Sequence, residues 1–237
     1  MTSFFLHKPS LRILMVRGVD AAAFLDGLST NLIPVASGFV VRTAFTDRAA
    51  KIIASAYVLT RDEGAVLVVD SMWFEGLVAH LAARMLRQDV ELVDLSLRNQ
   101  VVYEFGPLYG PDLGTWGLKQ GTTEARVHEE LLLHIGSPAF AEEEEAEREW
   151  DAWRIDHMWP EDGKEILSSR HPLACGLDAI VHPSKGCYIG QEVLTRMRSR
   201  GRTGSALVRG PASSFDAAAI TTVVDDLALA IVRTGNQ

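Results

Sequence analysis

Eight consecutive residues, Lys185-Gly186-Cys187-Tyr188-Ile189-Gly190-Gln191-Glu192, bring together an amine, a thiol, a phenol, an amide and a carboxylate around two glycines. A surface turn does not need that chemistry. Gly186 and Gly190 let the backbone take positive φ or pass close to another group. Ile189, Val193, Leu194 and Met197 fall on one side of a helix, so the stretch reads as a loop entering a helix near Gly190. Cys187 stands just ahead of that helix's N-terminus, with Lys185 two residues upstream and His182 nearby. Positive charge and a helix N-terminus both favour thiolate. On this reading Cys187 is a nucleophile and Lys185 its cationic neighbour. The competing reading is a tight turn around a buried cysteine that serves as a small hydrophobe.

The run K-G-C-Y-x-G-Q-E resembles the signature of the YgfZ-type folate-binding proteins. These are relatives of the glycine-cleavage T-protein (aminomethyltransferase) and are linked to iron–sulfur cluster assembly and repair. Three further segments carry the resemblance. Phe24-Leu25-Asp26-Gly27-Leu28-Ser29-Thr30-Asn31 is similar to the family's F-L-x-G-L-x-T-N. Arg154-Ile155-Asp156, Trp159-Pro160, Gly163 and Glu165 follow R-[IL]-x-x-G-x-P-x-x-G-x-E, with Met158 in place of glycine. Pro172 to Asp178 follows P-x-E-x-G-L, with Ala174 in place of the acid. Ala50, before Lys51, stands where the family has a turn glycine.

The resemblance implies an α+β, T-protein-like folate-binding fold, two α/β lobes around a central cavity, closed by a C-terminal β-barrel. Only 36 residues follow Gly201, so a shortened barrel or a small sheet is expected. Residues 1–135 read as the N-terminal lobe, 136–200 as a helical segment with the signature loop, and 201–237 as the reduced β tail. The implied cofactor is tetrahydrofolate or a related reduced folate, and the implied partners are iron–sulfur client proteins. The expected ligand-facing set is Asn31, Asp156, Tyr188, Gln191, Glu192 and Arg198. Asp156 occupies the place of a pterin-contacting glutamate; a carboxylate accepts parallel hydrogen bonds from a pterin's amino group and ring N–H. The competing reading, slightly favoured, is a carboxylate on an exposed helix face, paired with Arg154 or with nothing. Glu192 and Arg196 have the spacing of a helical ion pair, and Arg198 and Arg200 suit the carboxylates of a folate tail.

Those residues need elements to hold them. Leu11 to Arg17, Gly38 to Thr46, Ile52 to Thr60, Ala65 to Val69, Val90 to Leu95, Val101 to Phe105 and Leu131 to Ile135 read as strands. Val19 to Leu28 reads as a short helix capped by Asp20. Ser71 reads as the cap of an amphipathic helix running to about Gln88, with Phe74, Leu77, Val78, Leu81 and Met85 inward. Gly106 to Thr123, rich in glycine, reads as a loop. Glu142 to about Trp159 reads as a helix with an acidic first turn, and Ala206 to Arg209 and Leu227 to Val232 as strands. This pattern predicts an α+β layer with helices on one face.

Composition narrows the function. A chain of 237 residues with 47% hydrophobic and 23% charged residues can bury a proper core. A cytoplasmic protein with no membrane partner is expected. Cys175 and Cys187 are the only cysteines, too few for a disulfide framework, a Cys-x-x-Cys metal site or the four thiolates of a cluster. No metal site is expected, and any role with clusters is indirect or involves a partner's ligands. Net charge is −8, yet Lys185 to Arg209 holds one lysine, five arginines and a single acid, Glu192. That block suggests a local anion site rather than direct nucleic-acid binding.

Three functions follow in order. The first is a tetrahydrofolate-binding accessory protein for iron–sulfur enzymes, including some that modify tRNA, acting through Cys187. The second is a folate-dependent aminomethyl or methyl transferase. In the T-protein that chemistry uses an aspartate on the strand after the glycine turn, whereas Ile52 to Tyr57 has only Ala54 and Ser55 there. The third is an RNA- or protein-binding module using Arg196 to Arg202.

Overall fold

The computed structural model describes residues 3–137 and 145–234. Glu142 to Glu144, the start of the expected acidic helix turn, lie outside the described residues. The strands are β1 (Phe4–His7), β2 (Leu11–Arg17), β3 (Val40–Thr46), β4 (Ile52–Arg61), β5 (Gly64–Asp70), β6 (Glu91–Asp94), β7 (Gln100–Phe105), β8 (Trp116–Lys119), β9 (Thr122–His128), β10 (Leu131–Gly136), β11 (Ser205–Pro211), β12 (Ile220–Val224) and β13 (Leu227–Arg233). The helices are α1 (Ala21–Asp26), α2 (Ser71–Ala82), α3 (Ala146–His157) and α4 (Gln191–Arg200).

Strands pair antiparallel into three sheets, ordered β3-β4-β5-β2-β6, β1-β7-β10-β9-β8 and β11-β13-β12. The first sheet is covered on both faces, which is why β4 and β5 are apolar almost throughout. Ala44, Ala54, Ala56, Val58 and Leu67 pack against α1, α2 and the segment around Ile166 to Ile180. Small side chains at those alanines let the helices sit close. Tyr57, Leu59, Val66 and Val68 point the other way, against Val101, Tyr103 and Phe105 of the second sheet and Trp150 and Trp153 of α3. The third sheet does not close into a barrel.

Several elements differ from expectation. The helix starting at Ser71 is capped by Asp70, whose carboxylate accepts from Met72 N at 2.9 Å, and it stops at Ala82. Beyond that point Leu86 is exposed and the chain must return to pair β6 with β2. Asp20 precedes α1 without a side-chain cap; its carboxylate accepts from Asp89 N instead. The expected loop from Gly106 contains β8 and the start of β9. Gln120 (φ 50) and Gly121 (φ 83) form the two-residue turn between them, the geometry preferred by tight hairpins. The edge strand β1 and the strand β12 were not legible as periodic runs. No described helix is long and apolar enough to cross a membrane.

Candidate functional site

In the signature loop most of the polar groups are committed to backbone. Lys185 Nζ is wholly enclosed and donates to the carbonyls of Asp26 (2.6 Å), Asn31 (2.7 Å) and Ser29 (2.9 Å) and to Asp26 Oδ1 (2.9 Å). Burial lowers its pKa, and Asp26 works against that shift. The ammonium therefore ties the loop to the Phe24–Asn31 segment, so two motifs far apart in sequence close on each other. Gly190 (φ 86) comes next. A Cβ there would stand 2.7 Å from Asp47 O and 2.8 Å from Thr46 Oγ1, so only glycine fits. Thr46 Oγ1 donates to Ile189 O at 2.6 Å. Tyr188 is buried with Ala50, Leu173, Val181 and Leu194. Ala50 itself holds φ 61, a left-handed conformation that glycine adopts at less cost.

The expected ligand-facing residues are dispersed by this packing. Gln191 Nε2 donates to Lys185 O at 3.3 Å. Glu192 pairs with Arg196 at 2.6 Å on the exposed face of α4. Arg198 donates to the carbonyls of Val181 (2.9 Å) and Asp178 (3.2 Å). Asn31 donates to Arg42 O and accepts from Leu32 N, both at 2.9 Å. Asp156 is exposed and pairs with Arg209 at 3.2 Å, not with Arg154. Cys187 is exposed, whereas Cys175 is buried, and burial pushes the Cys175 thiol up to about 12.

Arg154 turns inward instead. Its fully buried guanidinium reaches Glu165 (2.8 Å), Asp151 (2.9 Å) and Trp159 O (3.1 Å). Glu165 in turn accepts from Thr221 (2.6 Å) and Thr222 (2.8 Å) of β12. The ends of the R…E motif thus clamp α3, the segment 159–165 and the third sheet together.

That clamp fixes a cleft between the first two sheets. Arg42, Ser55 and Tyr57 line it from one sheet and Tyr103 from the other, with Trp159 and Asp162 closing it. Asp162 Oδ1 accepts from Ser55 Oγ (2.7 Å) and Trp73 Nε1 (2.8 Å). It keeps a strip of surface toward the cleft but is surrounded by protein. That burial pushes its pKa up to about 6, with the Ser55 bond, Arg42 and the Trp73 bond opposing the rise. The preceding residue behaves oppositely. At Glu161 burial is outweighed by Lys8, Arg154 and Lys164, and its pKa falls to about 2. Two adjacent carboxylates driven apart by their surroundings are the pattern of a divided acid–base site. Arg42 stacks 4.5 Å from the Trp159 ring and donates to Pro160 O at 2.7 Å.

The fold has a counterpart among solved structures. The glycine cleavage system aminomethyltransferase T from Bartonella henselae superposes with a TM-score of 0.78 and 15% identity, covering 98% of this chain and 78% of that one. The chain has the fold of that aminomethyltransferase. A chain of heterotetrameric sarcosine oxidase from a Corynebacterium species matches 56% of this chain and 74% of its own length at 15% identity, with a TM-score of only 0.39. An uncharacterized protein of Haemophilus influenzae is 25% identical over 212 residues, spanning 86% of this chain and 72% of that protein. No protein-family model matches the chain.

Sequence reasoning missed Asp162, Ser55, Tyr57, Tyr103 and Arg42 as a group. Two signals were available. Ser55 interrupts an apolar run on β4, and Asp162 lies in the Trp159-Pro160-Glu161-Asp162-Gly163 turn inside a recognised motif. Neither showed that the two would meet.

Proposed function

We propose that this protein binds a reduced folate in the Asp162 cleft and serves iron–sulfur enzymes as an accessory factor through Cys187. One observation carries the folate reading: within a T-protein fold, the cleft joins a carboxylate of raised pKa to aromatic walls. A pterin offers an amino group and a ring N–H to a carboxylate and a flat face to Tyr57, Tyr103 and Trp159. The cleft holds about 20 Å³, room for a water rather than a bicyclic ring. Entry of the ring requires the Arg42–Trp159 stack to swing outward. The accessory role rests on the resemblance of the loop and on the exposed Cys187, whose thiol acts on a client, since two cysteines cannot enclose a cluster.

The test is calorimetry with tetrahydrofolate on the whole chain. Binding is expected for the wild type and for Cys187→Ser, and a loss of about tenfold or more for Asp162→Asn. In cells, Cys187→Ser is expected to fail to restore iron–sulfur enzyme activity. Flat titrations with every reduced folate would sink the reading.

A second reading gains from the same carboxylate. Strand β4 carries no acid, but Asp162 reaches it from the segment 159–165 and sits 2.7 Å from Ser55 Oγ. A carboxylate there is suited to the electrostatic and proton-handling work of folate-dependent aminomethyl transfer. Tetrahydrofolate-dependent ammonia release from aminomethylated carrier protein, lost in Asp162→Asn, would favour this transferase reading. Folate binding without turnover would retain the accessory one.

A further inference from the structure

A second cavity of about 410 Å³ shares no lining residue with the Asp162 cleft. Its walls come from three places: Lys51 in that turn, Ser169 to His171 ahead of the buried Cys175, and Arg202 beyond α4, with Thr234 at the rim. Four cationic or protonatable side chains therefore border one hollow: Lys51, Arg170, His171 and Arg202. No Asp or Glu lines it among the described residues. This is unusual for a chain of net charge −8.

Their partners make the point sharper. Lys8, Lys164, Arg154 and Lys185, buried or half-buried elsewhere in the chain, each have a carboxylate within 4 Å, whereas Arg42 and Arg61 stack on aromatic rings instead. None of the three cations bordering this cavity, nor His171, has one among the described residues. Lys51 Nζ donates to Ser169 O at 2.6 Å, and Arg170 Nη1 to Glu165 O at 2.6 Å and Lys164 O at 3.3 Å. His171 Nδ1 lies 3.0 Å from Ala50 O. These bonds position the groups without neutralising them. The carbonyl end of α4 does not supply the missing charge, because Gly201 and Arg202 N–H groups cap it. Asp47, whose carboxylate accepts from Lys51 N at 2.8 Å, offsets these charges in part but does not line the cavity; converging cations with no acid in the lining raise the local potential and favour an anion from outside.

We propose that this cavity is a binding site for a small polyanion carrying two or more phosphate or carboxylate groups, separate from the folate cleft. The volume fits a small molecule, and Lys51 and Arg202 both stand in its wall. The experiment is calorimetry of the whole chain at low salt with inorganic pyrophosphate and with tricarballylate, which separate a phosphate source from a carboxylate one. Binding of at least one is expected. It should weaken about tenfold in Lys51→Ala and in Arg202→Ala, and fall steeply as salt rises. Both variants are surface changes, and unaltered circular dichroism would confirm that they fold. No binding of either probe, or binding that neither substitution weakens, overturns the proposal. So does a single-stranded RNA that binds tightly while pyrophosphate does not, since that would assign the cations to an open nucleic-acid surface.

Discussion

The signature loop and the Asp162 cleft divide the protein's polar chemistry in opposite ways. The loop has the denser set of reactive side chains, yet its amine, amide and glycines are spent on backbone. Lys185 satisfies three carbonyls, Gln191 a fourth, and Gly190 makes room for the Asp47–Ala50 turn. Cys187 is left exposed at the tip. The cleft gathers side chains from β3, β4, β7 and the segment 159–165, and leaves a carboxylate with a pKa of about 6 facing a gap. A recognisable motif here marks where two parts of the chain must be locked together. The titrating group lies inside the R…E segment, at a position whose residue type that pattern leaves open.

Substitutions can break or sharpen that contrast. The largest effect should come from Lys185→Met, which strands the carbonyls of Asp26, Ser29 and Asn31. Loss of about 3–5 kcal/mol in urea unfolding is expected; a loss below about 1 kcal/mol would mean the loop is not a lock. Gly190→Ala combines a left-handed φ of 86 with backbone 2.7 Å away and should cost about 2–4 kcal/mol.

The cleft should respond with the opposite sign. The folded pKa of Asp162 is raised from 3.8 to about 6, so between those values the native state holds the proton that the unfolded chain has released. Stability from this group therefore falls as pH rises through about 4 to 6. Glu161, lowered from 4.5 to about 2, loses stability as pH falls through that lower window. Asp162→Asn should flatten the first slope and stabilise the protein at pH 8 by about 2 kcal/mol, while weakening folate binding. An Asp162→Asn variant less stable than wild type at pH 8 would show that the carboxylate is structural.

Two smaller effects complete the series. Ala50→Gly relieves a left-handed alanine but opens a methyl-sized gap beside Tyr188. The two nearly cancel, so a change within about 1 kcal/mol is expected from denaturant midpoints. Cys187→Ser, on an exposed side chain, should move stability by less than about 0.5 kcal/mol, and any larger loss would return Cys187 to a structural role.

Much of the architecture could be read from periodicity. The strands β2 to β5 and β10, the buried stripe of α2 and the start of α4 after Gly190 follow from local patterns of apolar residues and glycine. Local patterns failed where a turn hid a hairpin, as at Gln120-Gly121, and where a short edge strand such as β1 had too few residues to show a period. They also failed for partners. Arg154 and Asp156 sit two apart on one helix, so they emerge on different faces: one is buried against Glu165 and β12, the other exposed beside Arg209.

The sequence alone determined that the loop would enter a helix at Gly190 and that the order of strands and helices makes an α+β layer. Tertiary structure decided which charged groups meet. It enclosed Lys185 among carbonyls contributed by residues more than 150 positions earlier, and it placed Asp162 against Ser55, 107 positions away. Spacing along a chain constrains neighbours within a few turns, whereas pairing across sheets and the desolvation that shifts a pKa depend on which distant surfaces pack together.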